Sequence, residues 1–128
     1  MQAETAWGPT QDVAYHLERA ITKEVSAILL IGGGLVPQGR AVLREAGEWV
    51  QMAVKDVEAL AVKGKKKKDA RAAVLKCLAA AEKKGVDAAK LLFQEKVTDK
   101  DVAAICTSVS AAIGRELEAF ESLLALRE

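Results

Sequence analysis

The sequence predicts an all-α domain, an antiparallel up-and-down four-helix bundle, and three observations carry that expectation. Ala, Leu, Val, Glu and Lys dominate while Pro occurs only twice, so helix propensity is high almost throughout. Apolar residues recur at steps of three and four in four separate stretches. Short breaker segments near residues 32–37, 63–68 and 97–98 separate the stretches, and short connections between helices make sequential neighbours antiparallel. A chain of 128 residues can bury one core, which divides it into an N-terminal arm, residues 1–9, and a bundle domain, residues 10–128.

The first helix is expected from about Thr10, its N-cap, to Ile31, with Asp12 in its first turn. Its core stripe reads Val13, Leu17, Ile21, Val25 and Ile28, widened by Ala14, Ala20 and Leu29, until Gly32-Gly33-Gly34 and Pro37 end it. The second runs from about Gln38 to Val62 on the best heptad of the chain, Leu43, Ala46, Val50, Ala53, Val57 and Leu60. The third begins after the lysine run at Asp69 and carries Ala70, Val74, Cys77, Leu78 and Ala81. Gly85 leaves a kink or break open, but Ala88 and Leu92 keep the same phase, which favours one rod to about Lys96. The fourth starts at a capping box formed by Thr98 and Asp101, and runs through Val102, Cys106, Val109, Ile113, Leu117, Phe120 and Leu124.

Composition narrows the function classes. One His and two Cys leave little for acid–base, nucleophilic or metal chemistry, so no catalytic residue, metal ligand or cofactor is assigned, and no small-molecule substrate is evident. A net charge of +1 gives the whole molecule no bias toward polyanions, and 4% aromatic residues cannot furnish a base-stacking platform. The first residues carry neither a basic nor an apolar leader segment and the longest apolar run, Ala27–Ile31, is far too short to span a bilayer, so a cytoplasmic location is expected. Cys77 and Cys106 fall on core stripes at different depths and read as small buried apolar residues rather than a disulfide.

Four local features invite a functional reading. The segment from Ile28 to Ala41 echoes a phosphate-binding loop, with Gly34 and Gly39 at the right spacing. Arg40 and Ala41 replace the Lys and the Ser or Thr that hold phosphate and magnesium, and Pro37 stands where a dinucleotide fingerprint needs its third glycine. An interhelical loop is the expected role. His16 and Arg19 are similar to the His and following Lys of histidine phosphotransfer domains over one turn. Ala20 stands in place of the expected Gly and Leu17 comes one place early, so a solvated His beside the core is expected. Lys63, Lys65, Lys66, Lys67 and Lys68 form a like-charge run, expected in the loop between the second and third helices, with Glu116, Glu118, Glu121 and Glu128 near enough to offset part of its charge. Trp7 is expected to fold over the open end of the bundle, and Trp49 to close the core or stand at its rim as a binding anchor.

The function expected from these readings is a non-enzymatic helical interaction module, an adaptor, scaffold or self-associating unit. It would bind a protein partner or a second copy through wide apolar faces and small residues (Ala46, Gly47, Ala53, Ala103, Ala104, Ala111, Ala112, Gly114), with Trp49 and Trp7 as candidate anchors. The alternative is weak contact of the 63–68 lysine run with anionic lipid or nucleic acid, and a third is phosphotransfer through His16.

Overall fold

The computed structural model describes residues 7–127. A short 3-10 turn, Gly8–Thr10, leads into four helices: α1 (Gln11–Gly32), α2 (Val36–Glu58), α3 (Lys65–Leu92) and α4 (Asp99–Leu123), with no strand among the described residues. α1 packs most extensively on α2 and α3 on α4, while lighter α1–α4 and α2–α3 seams close the square. This is the four-helix bundle that the periodicity predicts.

Helix ends follow local chemistry. The Thr98 hydroxyl accepts from the Asp101 amide at 3.1 Å and the Asp101 carboxylate accepts from the Thr98 amide at 3.0 Å, the capping box read from sequence. Thr10 precedes α1 but does not cap it with its side chain; its hydroxyl donates to the Trp7 carbonyl at 2.6 Å. α1 ends in a Schellman motif: Leu35 N–H reaches Leu30 O at 2.8 Å and Gly34 N–H reaches Ile31 O at 3.1 Å. Gly34 adopts φ 87°, which a side chain would strain. Pro37 sits in the first turn of α2, where its missing N–H costs nothing.

Three boundaries differ from the sequence reading. α2 stops at Glu58, four residues early, where an extended segment takes over. α3 starts at Lys65, so Lys65–Lys68 form its first helical turn and only Lys63 lies in the connection. The like charges are tolerated because helical geometry fans them outward and sets Lys65 3.4 Å from Asp69, one turn on. α3 then passes through Gly85 unbroken and ends at Leu92.

The core phases of α1 and α4 also differ. In α1 the buried stripe is Val13, Leu17, Ala20, Glu24, Ala27 and Ile31; in α4 it is Ile105, Val109, Ala112, Glu116, Ala119 and Leu123. In each helix a glutamate occupies a core position. The larger apolar residues beside it (Val25 and Leu29, Leu117 and Leu124) turn outward. Cys77 and Cys106 are accordingly half-buried free thiols rather than core residues, in separate clusters of the core. α2 and α3 keep the predicted phase, and Val50 and Val109 are both buried.

The core therefore has two apolar ends and a different middle. One end gathers Leu17, Val57, Val74, Leu78 and Leu123, roofed by Trp7, whose ring lies tilted against Phe120 with the centroids 5.3 Å apart. The other gathers Ile31, Leu92, Ile105 and Val109. Between them lie alanines, Ala20, Ala46, Ala81 and Ala112, and the two glutamates.

Candidate functional site

Three surfaces hold the features that could serve a function. The first lies over the α1–α4 seam. His16 and Lys23 of α1 pair with Asp56 and Glu45 of α2, so helical rotation sends Ile21, Val25 and Ile28 to the opposite flank, beside α4. On α4, Glu118 approaches Cys77 of α3, so Cys106, Ile113, Leu117 and Leu124 flank the same α1–α4 seam. Leu29 is 72% exposed and Leu117 53%. No charged residue occurs between Val25 and Gly39, nor between Val102 and Gly114, so toward the α1–α2 turn this face is apolar ridge and small uncharged residues (Ala103, Ser110, Gly114). Glu18 and Glu121 bound it at its far end.

The second is a cavity of about 310 Å³ under the α2–α3 seam. Ala46, Gly47, Ala81 and Gly85 face it, and a Cβ added at Gly47 or Gly85 would meet nothing within 4 Å. The small residues here leave space instead of drawing the helices together. Glu24 reaches the cavity from α1 and is 4% exposed; its Oε1 has no hydrogen-bond partner. The carboxyl of Glu24 meets that of Glu116, which is fully buried, and no donor but the proton they share reaches either Glu116 oxygen. Burial raises both pKa values, and the hydrogen bond to Glu24 and its charge help push Glu116 up to about 10. The pair therefore holds a proton between its two carboxyls at neutral pH. At one end of the cavity Arg40 Nη2 donates to the Leu92 carbonyl at 2.6 Å, capping the negative end of α3, and its guanidinium lies 5.4 Å from the Phe93 ring. Arg40 Nε is buried without a partner.

The third is an aromatic cluster on the outer α1–α2 seam. Trp49 is half-buried at the rim, with Tyr15 at 6.0 Å, His16 at 5.5 Å and the Arg19 guanidinium at 5.8 Å from its ring. His16 is not merely solvated, because its Nδ1–H donates to Asp56. Trp7, by contrast, is committed to Phe120 and the end of the core.

The remaining sequence features are dispersed. The glycine-turn amides of Gly33 and Gly34 are engaged by α1 carbonyls, and Arg40 points to α3, so the loop offers no phosphate cradle. Glu116 lies in the core and cannot offset the lysine run, and Glu128 falls outside the described residues along with residues 1–6 of the arm. No group of three or more His, Cys, Asp or Glu able to hold a metal ion occurs among the described residues. No helix among them is long and apolar enough to cross a membrane. Glu24 and Arg40 are the site residues that sequence reading missed. The signal for Glu24 was present, since the 13-17-20-24-27-31 spacing places it in heptad register with the core.

Fold and surfaces together define an all-α bundle with one uncharged outer face and one hollow seam. In comparisons with known proteins the chain matches no family model, no curated protein and no solved structure.

Proposed function

We propose that the protein is a non-enzymatic helical interaction module that self-associates through the α1–α4 face. The observation that carries this reading is that exposed Val25 and Leu29 lie in the longest charge-free stretch of the chain, 25–39, beside the next longest, 102–114, with exposed Leu117 one turn beyond it. An isologous contact brings each residue near its own counterpart or a symmetric one, so a charge-free face avoids like-charge repulsion between copies. Sixteen helical residues, 102–117, span about 24 Å, and two adjacent helices are about 20 Å wide. Such a face covers roughly 500 Å² per copy, or roughly 1,000 Å² in all, the lower bound for a specific interface. Small residues beside the Leu29 and Leu117 ridges provide the shallow groove that a facing ridge needs.

Sedimentation equilibrium tests this reading. A reversible dimer is expected, with Leu29→Glu and Leu117→Glu each weakening it at least tenfold by burying an unpaired charge. Val86→Glu, an equally exposed apolar position on α3, is expected to leave it unchanged. A wild-type chain that stays monomeric at about 0.1 mM, well above a micromolar constant, would overturn the proposal.

Polyanion contact through the lysine run is a second reading, favoured by one observation. The run occupies the first turn of α3, where the helix dipole is already positive, so a bound phosphate would relieve an unfavourable arrangement. Anionic liposomes and duplex DNA compared against a variant with Lys65, Lys66, Lys67 and Lys68 changed to Gln distinguish it. Binding that is lost in the variant and falls steeply with salt would support this reading, and equal binding by both chains would refute it.

A further inference from the structure

We infer that the α2–α3 cavity is a binding site for a small zwitterion with an apolar body, of the kind exemplified by leucine or phenylalanine. This site is separate from the α1–α4 face, and its test does not depend on the oligomeric state. Three features of the cavity point to that chemistry. Its volume of about 310 Å³ lies at the lower end of ligand pockets. At a water's share of about 30 Å³ each, it holds about ten non-hydrogen atoms. Its walls are mostly apolar, from Leu43 and Val50 on one side to Val86 and Leu92 on the other. Its polar lining carries both signs of charge, Glu24 and Glu82 against Arg40 and Arg44, with Gln51 beside them.

Those polar groups match the ligand's two charged groups, which in leucine and phenylalanine share one carbon. Glu24 Oε1 is an acceptor without a partner on a side chain that is 96% removed from solvent by its 4% exposure. A buried carboxylate oxygen left in that condition costs free energy until a donor reaches it. A donor is what Glu24 Oε1 lacks, and an ammonium, with three N–H groups on one compact charge, is the donor that best matches a carboxyl oxygen in that condition. Arg40 Nε–H is the converse, a buried donor with no acceptor, on a guanidinium already fixed by the Leu92 carbonyl and the Phe93 ring. Arg44 lines the same cavity. A carboxylate satisfies Arg40 Nε and gains a second cation from Arg44. The apolar body then fills the space that Gly47 and Gly85 leave open.

An amine lacking the carboxylate leaves Arg40 Nε unsatisfied, and a carboxylic acid lacking the amine leaves Glu24 Oε1 without a donor. Discrimination against both follows from this complementarity, as it does wherever a site's buried polar groups are left unpaired by an analogue.

Calorimetry and amide chemical-shift mapping at neutral pH test the inference with leucine and phenylalanine, the amines 3-methylbutylamine and 2-phenylethylamine, and the acids 4-methylpentanoate and 3-phenylpropionate. At least one zwitterion is expected to shift the Gly47 and Gly85 amides and to bind at least tenfold tighter than its amine and acid counterparts. Glu24→Gln and Arg40→Gln are each expected to weaken it at least tenfold. Gly85→Leu fills the cavity without meeting another atom near its Cβ, and keeps the helix, so it is expected to abolish binding in a folded chain. No binding of either zwitterion at about 10 mM would overturn the assignment. So would equal affinity for an amine or an acid, or binding that survives Gly85→Leu.

Discussion

The α1–α4 and α2–α3 seams both carry small residues, yet they expose apolar surface in opposite ways. Over α1–α4 the apolar side chains of Val25, Leu29 and Leu117 stand outside the core. Along α2–α3 the outer surface is richly charged, with Arg44 and Glu48 on α2 and Glu82, Lys83 and Lys84 on α3, while a cavity opens beneath it. The first arrangement suits a surface that must be covered by something large, and the second suits a space that must be filled by something small. A helical bundle can thus hold unsatisfied apolar surface by misplacing volume outward or by omitting it inward.

The glutamate pair stands between the two seams and gives the largest expected effect. Unfolded carboxyls titrate near 4.5, and the folded pair holds its proton to higher pH. Between those values the native state binds more protons than the unfolded chain, so stability is greatest at low pH and falls as pH rises. One proton corresponds to at most about 1.4 kcal/mol per pH unit. Urea unfolding is expected to give a lower free energy at pH 8 than at pH 5, and Glu116→Gln, which keeps an N–H donor for Glu24, is expected to flatten that dependence. A wild type equally stable at both values would contradict the buried shared proton.

A pair of glycine substitutions separates a tight seam from a loose one. A Cβ at Gly39 would come 2.3 Å from Ile31 Cγ1, where α1 and α2 approach at their turn, so Gly39→Ala is expected to cost about 1–3 kcal/mol. A Cβ at Gly85 meets nothing within 4 Å, so Gly85→Ala is expected to stabilise the chain by about 0.5–1 kcal/mol through helix propensity alone. Opposite shifts in the denaturation midpoint would support the contrast, and a loss of stability in both would mean that the α2–α3 seam is packed as closely as its neighbour.

The smallest effect belongs to the charged side of the molecule. Changing Lys65, Lys66, Lys67 and Lys68 to Gln removes cations from the positive end of α3, and with them the exposed pairing of Lys65 with Asp69. The two effects oppose each other, and the melting temperature at low salt is expected to change by the equivalent of less than about 1 kcal/mol. A larger loss would show that the run holds the α2–α3 connection in place.

Most of the bundle was legible in the sequence because caps and breakers act locally. Thr98 with Asp101, the triple glycine and Pro37 each fix a helix end through their own backbone chemistry, and the heptad of α2 has no competing stripe. The phases of α1 and α4 were not legible from hydrophobicity, because the larger residues of each helix lie beside the core stripe and a glutamate lies within it. A carboxyl enters a core only with a partner, and the partner of Glu24 is on a helix ninety residues away in sequence, where periodicity cannot see it. The lysine run was misplaced for a related reason. Repulsion between neighbours argues for a loop, but helical geometry turns successive lysines away from one another and supplies Asp69. The cavity could not be read at all, since Gly47 and Gly85 are compatible with either close approach or empty space, and only packing decides between them.

The proposed self-association sets a second copy of the chain against the α1–α4 face and leaves the α2–α3 seam to a small ligand. Amide chemical shifts followed through a dilution series locate such an association residue by residue. Concentration-dependent shifts are expected to be confined to residues 21–32 and 102–117, centred on Leu29 and Leu117, with Gly47 and Gly85 unmoved. Shifts confined to α2 and α3, or a spectrum unchanged from low to high concentration, would contradict it.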